Sequence, residues 1–155
     1  MDLCDLLAPD GIIASLKVTS KKQALQELSA IAADRTGIDS REIFNTLLQR
    51  ERLGSTGLGR GIAVPHVKLS GLTSIVCLFA RLEVPIEFES HDNEPVDLVF
   101  LLLAPEHASG DHLKALARIS RLVRVPSILD RLRAAPDEAG LRTALTMMTA
   151  APHAA

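Results

Sequence analysis

The chain has 155 residues and a formal net charge of −2, from 17 Lys plus Arg against 19 Asp plus Glu, and is long enough to bury a core without cross-links. That balance, with no run of basic residues, gives no electrostatic reason for a nucleic-acid partner, and four Phe with no Trp or Tyr leave no aromatic platform for bases or sugars. The two cysteines, Cys4 and Cys77, sit among apolar neighbours without metal spacing and read as small buried hydrophobes in a reducing compartment.

The start, Met1-Asp2-Leu3-Cys4-Asp5, shows neither the basic nor the apolar region of a secretory signal. No apolar run approaches the ~20 residues that cross a bilayer, so a cytoplasmic domain without membrane insertion is expected. Ile12 to Val18 reads as a first strand or extended arm. Ser20 and Gln23 then form a capping box, Leu25, Leu28 and Ala32 follow at helical spacing, and Gly37 stops the helix. A second box, Asp39 to Glu42, opens a helix with Ile43, Phe44, Leu47 and Leu48 on one face.

A glycine-rich stretch, Gly54-Ser55-Thr56-Gly57-Leu58-Gly59-Arg60-Gly61, leads into a short apolar run, Ile62-Ala63-Val64, closed by Pro65. Ser74 to Leu82 and Val96 to Leu103 are longer strand-like runs. The second does not alternate, which suits a central strand covered on both faces. Ser109 or Asp111 can cap a third helix carrying Leu113, Leu116, Ala117 and Val123. Pro126 fits the first turn of a short helix over Ser127 to Arg133, and Asp137 begins the last, with Leu141, Ala144, Leu145 and Met148 in one stripe. Strands interleaved with helices predict a single α/β domain over residues 1–149, its sheet flanked by helices on both faces, with 150–155 as a disordered tail.

His66 follows Pro65, so the strand is expected to end there and leave the imidazole at its mouth. Taken alone, a histidine in such a place is more often structural. Upstream, Gly57, Gly59 and Gly61 can turn backbone N–H groups into a nest for an anion, or can form a flexible turn. The stretch is not a nucleotide-binding P-loop: Arg60 and Gly61 stand where Lys and Ser or Thr are required, and a helix precedes it rather than a strand. Arg50 lies three residues after Leu47 and seven after Ile43, which would continue the buried stripe of its helix toward this loop. It either faces a phosphate or serves as a helix C-terminal cation, the better account of Arg52. His112, in the first turn of the third helix, stands where the dipole favours anions, or is a surface helix-start residue. His107 and His112 lack a third ligand, so no metal or cofactor is expected; His91 and His153 read as incidental.

The stretch from Leu53 to Leu69 closely resembles the active-site segment of the IIA components of the bacterial phosphoenolpyruvate phosphotransferase system, of the fructose/mannitol type and its nitrogen-regulatory branch. The likeness spans nearly the whole chain and includes Lys21 to Leu25, Arg50-Glu51, Asp92 to Leu98 and His112-Leu113. It implies a mixed sheet, His66 as the phosphorylated residue attacking through Nε2, Arg50 as its phosphate partner and His112 as a second active-site histidine. Val67 and Arg60 depart from the family pattern and bear on partner choice.

By that resemblance the chain is a phosphotransferase component: a histidine phosphocarrier protein donates the phosphoryl group, and regulatory proteins or transporters read the outcome. The chemistry needs positioning and charge stabilisation around a nucleophilic imidazole, which Arg50, the loop N–H groups and His112 would supply. Two other function classes fit the same residues. One is a sugar-transport relay to a separate IIB protein; the other is an interaction module in which His66 is never phosphorylated.

Overall fold

The computed structural model describes residues 7–107, 110–122 and 124–150. In chain order these form β1 (Leu7–Leu16), α1 (Lys21–Thr36), α2 (Ser40–Leu53), β2 (Gly57–Gly59), β3 (Ile62–Ala63), β4 (His66–Leu69), β5 (Val76–Ile86), β6 (Val96–Pro105), α3 (Asp111–Leu122), α4 (Pro126–Ala134) and α5 (Glu138–Ala150). The caps fall where expected, though neither closes as a full capping box: Gln23 Oε1 accepts from the Thr19 N–H rather than that of Ser20, and Asp39 Oδ1 accepts from the Arg41 N–H. Ser20 Oγ accepts from the Gln23 N–H at 3.1 Å, and Gly37, at φ 76°, closes α1 through its N–H to the Ala33 carbonyl. Asp39 caps α2, Pro126 occupies the first turn of α4, and Asp137 Oδ1 accepts from the Gly140 N–H at 2.9 Å at the head of α5. The expected caps of α3, Ser109 and the Asp111 side chain, and the tail residues 151–155 lie outside the described residues.

The sheet is mixed, in the order β1-β5-β6-β3-β2, with β4 also pairing β6. β6 is its spine. It runs antiparallel to β5 on one side and parallel to β3 and β4 on the other. Both of its faces are covered, which is why its sequence shows no alternation. Val99, Leu101 and Leu103 pack with Leu25, Leu28, Ile43 and Leu47 of α1 and α2. Leu98, Phe100 and Leu102 pack with Ile119, Ile128, Leu132, Leu141 and Leu145 of α3 to α5. Phe79 and Phe100 meet in a tilted pair, ring centroids 4.8 Å apart, at the centre of this second core.

Two short elements were not expected from the sequence. The glycine stretch contributes a strand, β2, that pairs antiparallel with β3. The chain also does not leave the sheet at Pro65: β3 stops at Ala63, and β4 resumes at His66 along the same edge of β6. Pro65 has no N–H to give, but its carbonyl accepts from the Leu102 N–H at 2.9 Å and keeps the chain in line. His66 therefore sits just past a break in an otherwise continuous edge, paired with Leu102.

Candidate functional site

The break at Pro65 fixes the His66 ring. Its Nδ1 lies 2.7 Å from the Val64 carbonyl oxygen, two residues back. A carbonyl only accepts, so the proton sits on Nδ1 and the lone pair of the neutral ring sits on Nε2. The acceptor that holds this tautomer was not legible in the sequence, because it is a main-chain group whose availability depends on how the β2–β3 hairpin pairs.

His66 lines a cleft of about 530 Å³ where β4 passes between the last turns of α2 and the first turn of α3. Thr46, Gln49, Arg50 and Leu53 come from α2, Val67 and Lys68 from β4, Leu102 and Ala104 from β6, and His112 from α3. The three catalytic candidates read from the sequence, His66, Arg50 and His112, thus share one cleft. Arg50 is half-buried, and its Nη1 donates to the Gly54 carbonyl at 3.0 Å, which steadies the guanidinium at the helix end. The buried stripe of α2, however, runs Ile43, Leu47, Glu51 rather than through Arg50. The spacing of four would have identified Glu51 had a carboxylate been admitted to the stripe.

His112 has an Nδ1 that is buried without a hydrogen-bond partner. Burial, and then the charges of Lys68 and His66, hold its imidazole below the ordinary histidine range. It is therefore a neutral ring at neutral pH, beside the exposed Lys68, a cation that the residue-by-residue sequence reading did not assign to the site.

Gly57, Gly59 and Gly61 are not among the walls of this cleft. They belong to the β2–β3 hairpin, whose turn residues Arg60 and Gly61 both have positive φ, 56° and 83°. Their surroundings are filled by protein. A Cβ on Gly57 would stand 2.2 Å from Ser90 Oγ, and one on Gly61 would stand 2.7 Å from Asp97 Oδ1. The Arg60 N–H already donates to Asp92 Oδ2 at 2.8 Å, a bond that lowers the Asp92 pKa. The Arg60 carbonyl accepts from Arg133, which is paired in turn with Asp97 at 2.9 and 3.0 Å. Of the N–H groups in this loop, those of Arg60 and Gly57 are thus taken by the protein's own Asp92 and Ser55.

Cys77 is buried and its thiol is pushed up to about 12, so it behaves as a small apolar side chain; Cys4 lies outside the described residues. His91 and His107 are exposed and away from the cleft, and His153 is outside the described residues. Among the described residues, no His, Cys, Asp and Glu side chains gather as metal ligands, and no helix is long and apolar enough to cross a membrane.

Residues 5–147 match the family described as "Phosphoenolpyruvate-dependent sugar phosphotransferase system, EIIA 2". The chain is 57% identical over 147 residues to a nitrogen regulatory protein of Bradyrhizobium diazoefficiens, covering 95% of this chain and 96% of that protein. It is 40% identical over 137 residues to the nitrogen regulatory protein of Escherichia coli, covering 88% and 84%. Its fold superimposes on the crystal structure of the nitrogen regulatory protein IIA-Ntr of Neisseria meningitidis with a TM-score of 0.88, at 32% identity, covering 92% of this chain and 98% of that one.

Proposed function

The chain belongs to the EIIA 2 family of the phosphoenolpyruvate-dependent sugar phosphotransferase system, and on that premise we propose that Nε2 of His66 accepts a phosphoryl group from a cytoplasmic histidine phosphocarrier protein. The observation that carries this is the 2.7 Å contact between His66 Nδ1 and the Val64 carbonyl, which leaves Nε2 as the nucleophile. The N–P bond of the donor breaks as the Nε2–P bond forms, and the donor imidazole departs with its electron pair. No proton needs to move. The ring becomes cationic as it takes the group, and the Val64 carbonyl dipole stabilises that charge through Nδ1–H.

Transfer of this kind depends on placement and on cations that spread the phosphoryl charge. Arg50 can fork two phosphoryl oxygens, and Lys68 adds a point charge on the same wall. His112, neutral, offers a ring N–H without adding a charge that would oppose the cationic His66. The β2–β3 hairpin delivers Pro65 and His66 to the edge of β6, and its glycines do not line the cleft.

We place the output in regulation rather than in sugar transport, on the support of the close relatives named nitrogen regulatory proteins. The test combines labelling with capture. Phosphotransfer from phosphoenolpyruvate, through the first enzyme of the system and a histidine phosphocarrier, is expected to label the wild type and not His66→Ala. Capture on wild type and on His66→Asp is expected to retain regulators or ion transporters unequally. Label on His66→Ala overturns the site. A sugar-transport IIB protein as the sole specific partner replaces regulation with the relay.

A further inference from the structure

Glu51 is 7% exposed, and nothing in the phosphoryl chemistry uses it. Its carboxylate accepts from the Thr56 N–H at 3.1 and 3.2 Å and from the Thr56 hydroxyl, and Lys21 Nζ lies 3.6 Å away. These bonds matter for His66 because of where Thr56 stands. Gly57 pairs with Ala63 in the hairpin, so the next residues out, Thr56 and Val64, face each other. The Val64 N–H donates to the Thr56 carbonyl at 3.0 Å.

In an antiparallel ladder, facing residues of this kind exchange two hydrogen bonds, and the return bond would run from the Thr56 N–H to the Val64 carbonyl. That N–H is turned to Glu51 instead, and the Val64 carbonyl takes Nδ1 of His66. One buried carboxylate thus removes the backbone donor that would compete for the oxygen on which the His66 tautomer depends.

We propose that Glu51 is a positioning residue that sets the tautomer of His66 through Thr56 and Val64, an inference that rests on His66 being the phosphoacceptor. A carbonyl has two lone pairs, so losing Glu51 does not forbid the His66 bond. It returns the Thr56 N–H to the same oxygen, weakens the hold on Nδ1–H and lets the Nε2–H tautomer form, which has no lone pair on the attacking nitrogen. Glutamine keeps an oxygen for the Thr56 N–H and recovers most of the effect. Lys21 anchors the carboxylate but donates nothing to the strand.

The experiment reads the ring nitrogens of His66 by long-range ¹H–¹⁵N NMR at a pH where the ring is neutral, beside the labelling rate. Wild type is expected as the Nδ1–H form. Glu51→Ala is expected as a mixture of tautomers with labelling slowed about 10-fold, as when a partner that fixes a histidine tautomer is lost. Glu51→Met, which fills similar volume, is read where the alanine variant does not fold. Glu51→Gln is expected close to wild type, and Lys21→Met less heat-stable with the tautomer unchanged. A folded Glu51→Ala or Glu51→Met that keeps the pure Nδ1–H form overturns the proposal. Should neither fold, the coupling across the Thr56 N–H hydrogen bond in the wild type decides: coupling to the Glu51 carboxyl carbon is expected, and coupling to the Val64 carbonyl carbon overturns the proposal. Failure to label wild-type His66 defeats the phosphoacceptor reading instead, and is scored separately from the tautomer.

Discussion

The Nδ1 of His66 and the carbonyl oxygen of Val64 lie 2.7 Å apart across a proline that interrupts the edge of the sheet. The Thr56 N–H that faces this carbonyl goes to Glu51, which leaves the oxygen to the ring, and the resumption of pairing at His66 with Leu102 holds the ring at one place in the cleft. The position of the ring comes from this local feature of the chain, and the free Val64 carbonyl from the hairpin beside it.

Arg50→Ala is expected to fold normally and to slow phosphotransfer by about 10²–10³, the usual cost of losing one preorganised charge-stabilising donor. Arg50→Lys is expected to recover only part of the rate, since an ammonium cannot fork two oxygens. Single-turnover labelling with quenched time points measures both. A wild-type rate in Arg50→Ala reduces Arg50 to a helix-end cation bonded to Gly54.

His112 is held below the ordinary histidine range, by burial first and then by the charges of Lys68 and His66. The unfolded chain therefore binds a proton at this residue more readily than the folded one. The resulting stability is fully present above the ordinary imidazole range near ~6.5 and is lost as pH falls through the depressed value. Urea unfolding as a function of pH is expected to show this fall in wild type and a flatter profile in His112→Gln. Lys68→Met is expected to raise the His112 titration midpoint, read by NMR, because one of its two depressing charges is gone. An unmoved midpoint in Lys68→Met breaks the electrostatic link between these walls of the cleft.

The sequence carried the layered fold because its signals are local: caps at Ser20 and Asp39, a stop at Gly37, and a spine strand too uniformly apolar to have a wet face. It also singled out His66, Arg50 and His112 through their family motif, and the structure brings the three to one cleft. What it did not carry depends on pairing at a distance. The glycines read as an anion nest because glycine permits one, but whether N–H groups are free depends on what packs there, and Asp92, 32 residues away, fills that place. Glu51 carries no legible role in the sequence, because a carboxylate on an apolar stripe needs a partner, and Thr56 becomes that partner only in the folded hairpin.

Gly61→Ala is expected to destabilise the fold by about 1–3 kcal/mol, because the residue has φ 83° and its new Cβ would press on Arg133 and Asp97. Assayed well below its melting temperature, the variant is expected to accept phosphate at close to the wild-type rate. Chemical denaturation and labelling at low temperature check the two halves. A stable Gly61→Ala that cannot be labelled restores the loop as a phosphate ligand.

Cys77, its thiol pushed up to about 12 by burial, is expected to resist alkylation in the folded protein and to react once the chain is unfolded. Mass spectrometry after iodoacetamide treatment with and without denaturant checks this. Rapid native modification contradicts a thiol that serves only the core.

The most direct test of the site is the position of the phosphoryl group on the ring. Long-range ¹H–¹⁵N correlation on the phosphorylated protein distinguishes Nε2 from Nδ1 substitution at His66. The expected result is phosphorus on Nε2 with the proton retained on Nδ1. Phosphorus on Nδ1, or on any residue other than His66, contradicts the role given to the Val64 carbonyl and with it the proposed chemistry.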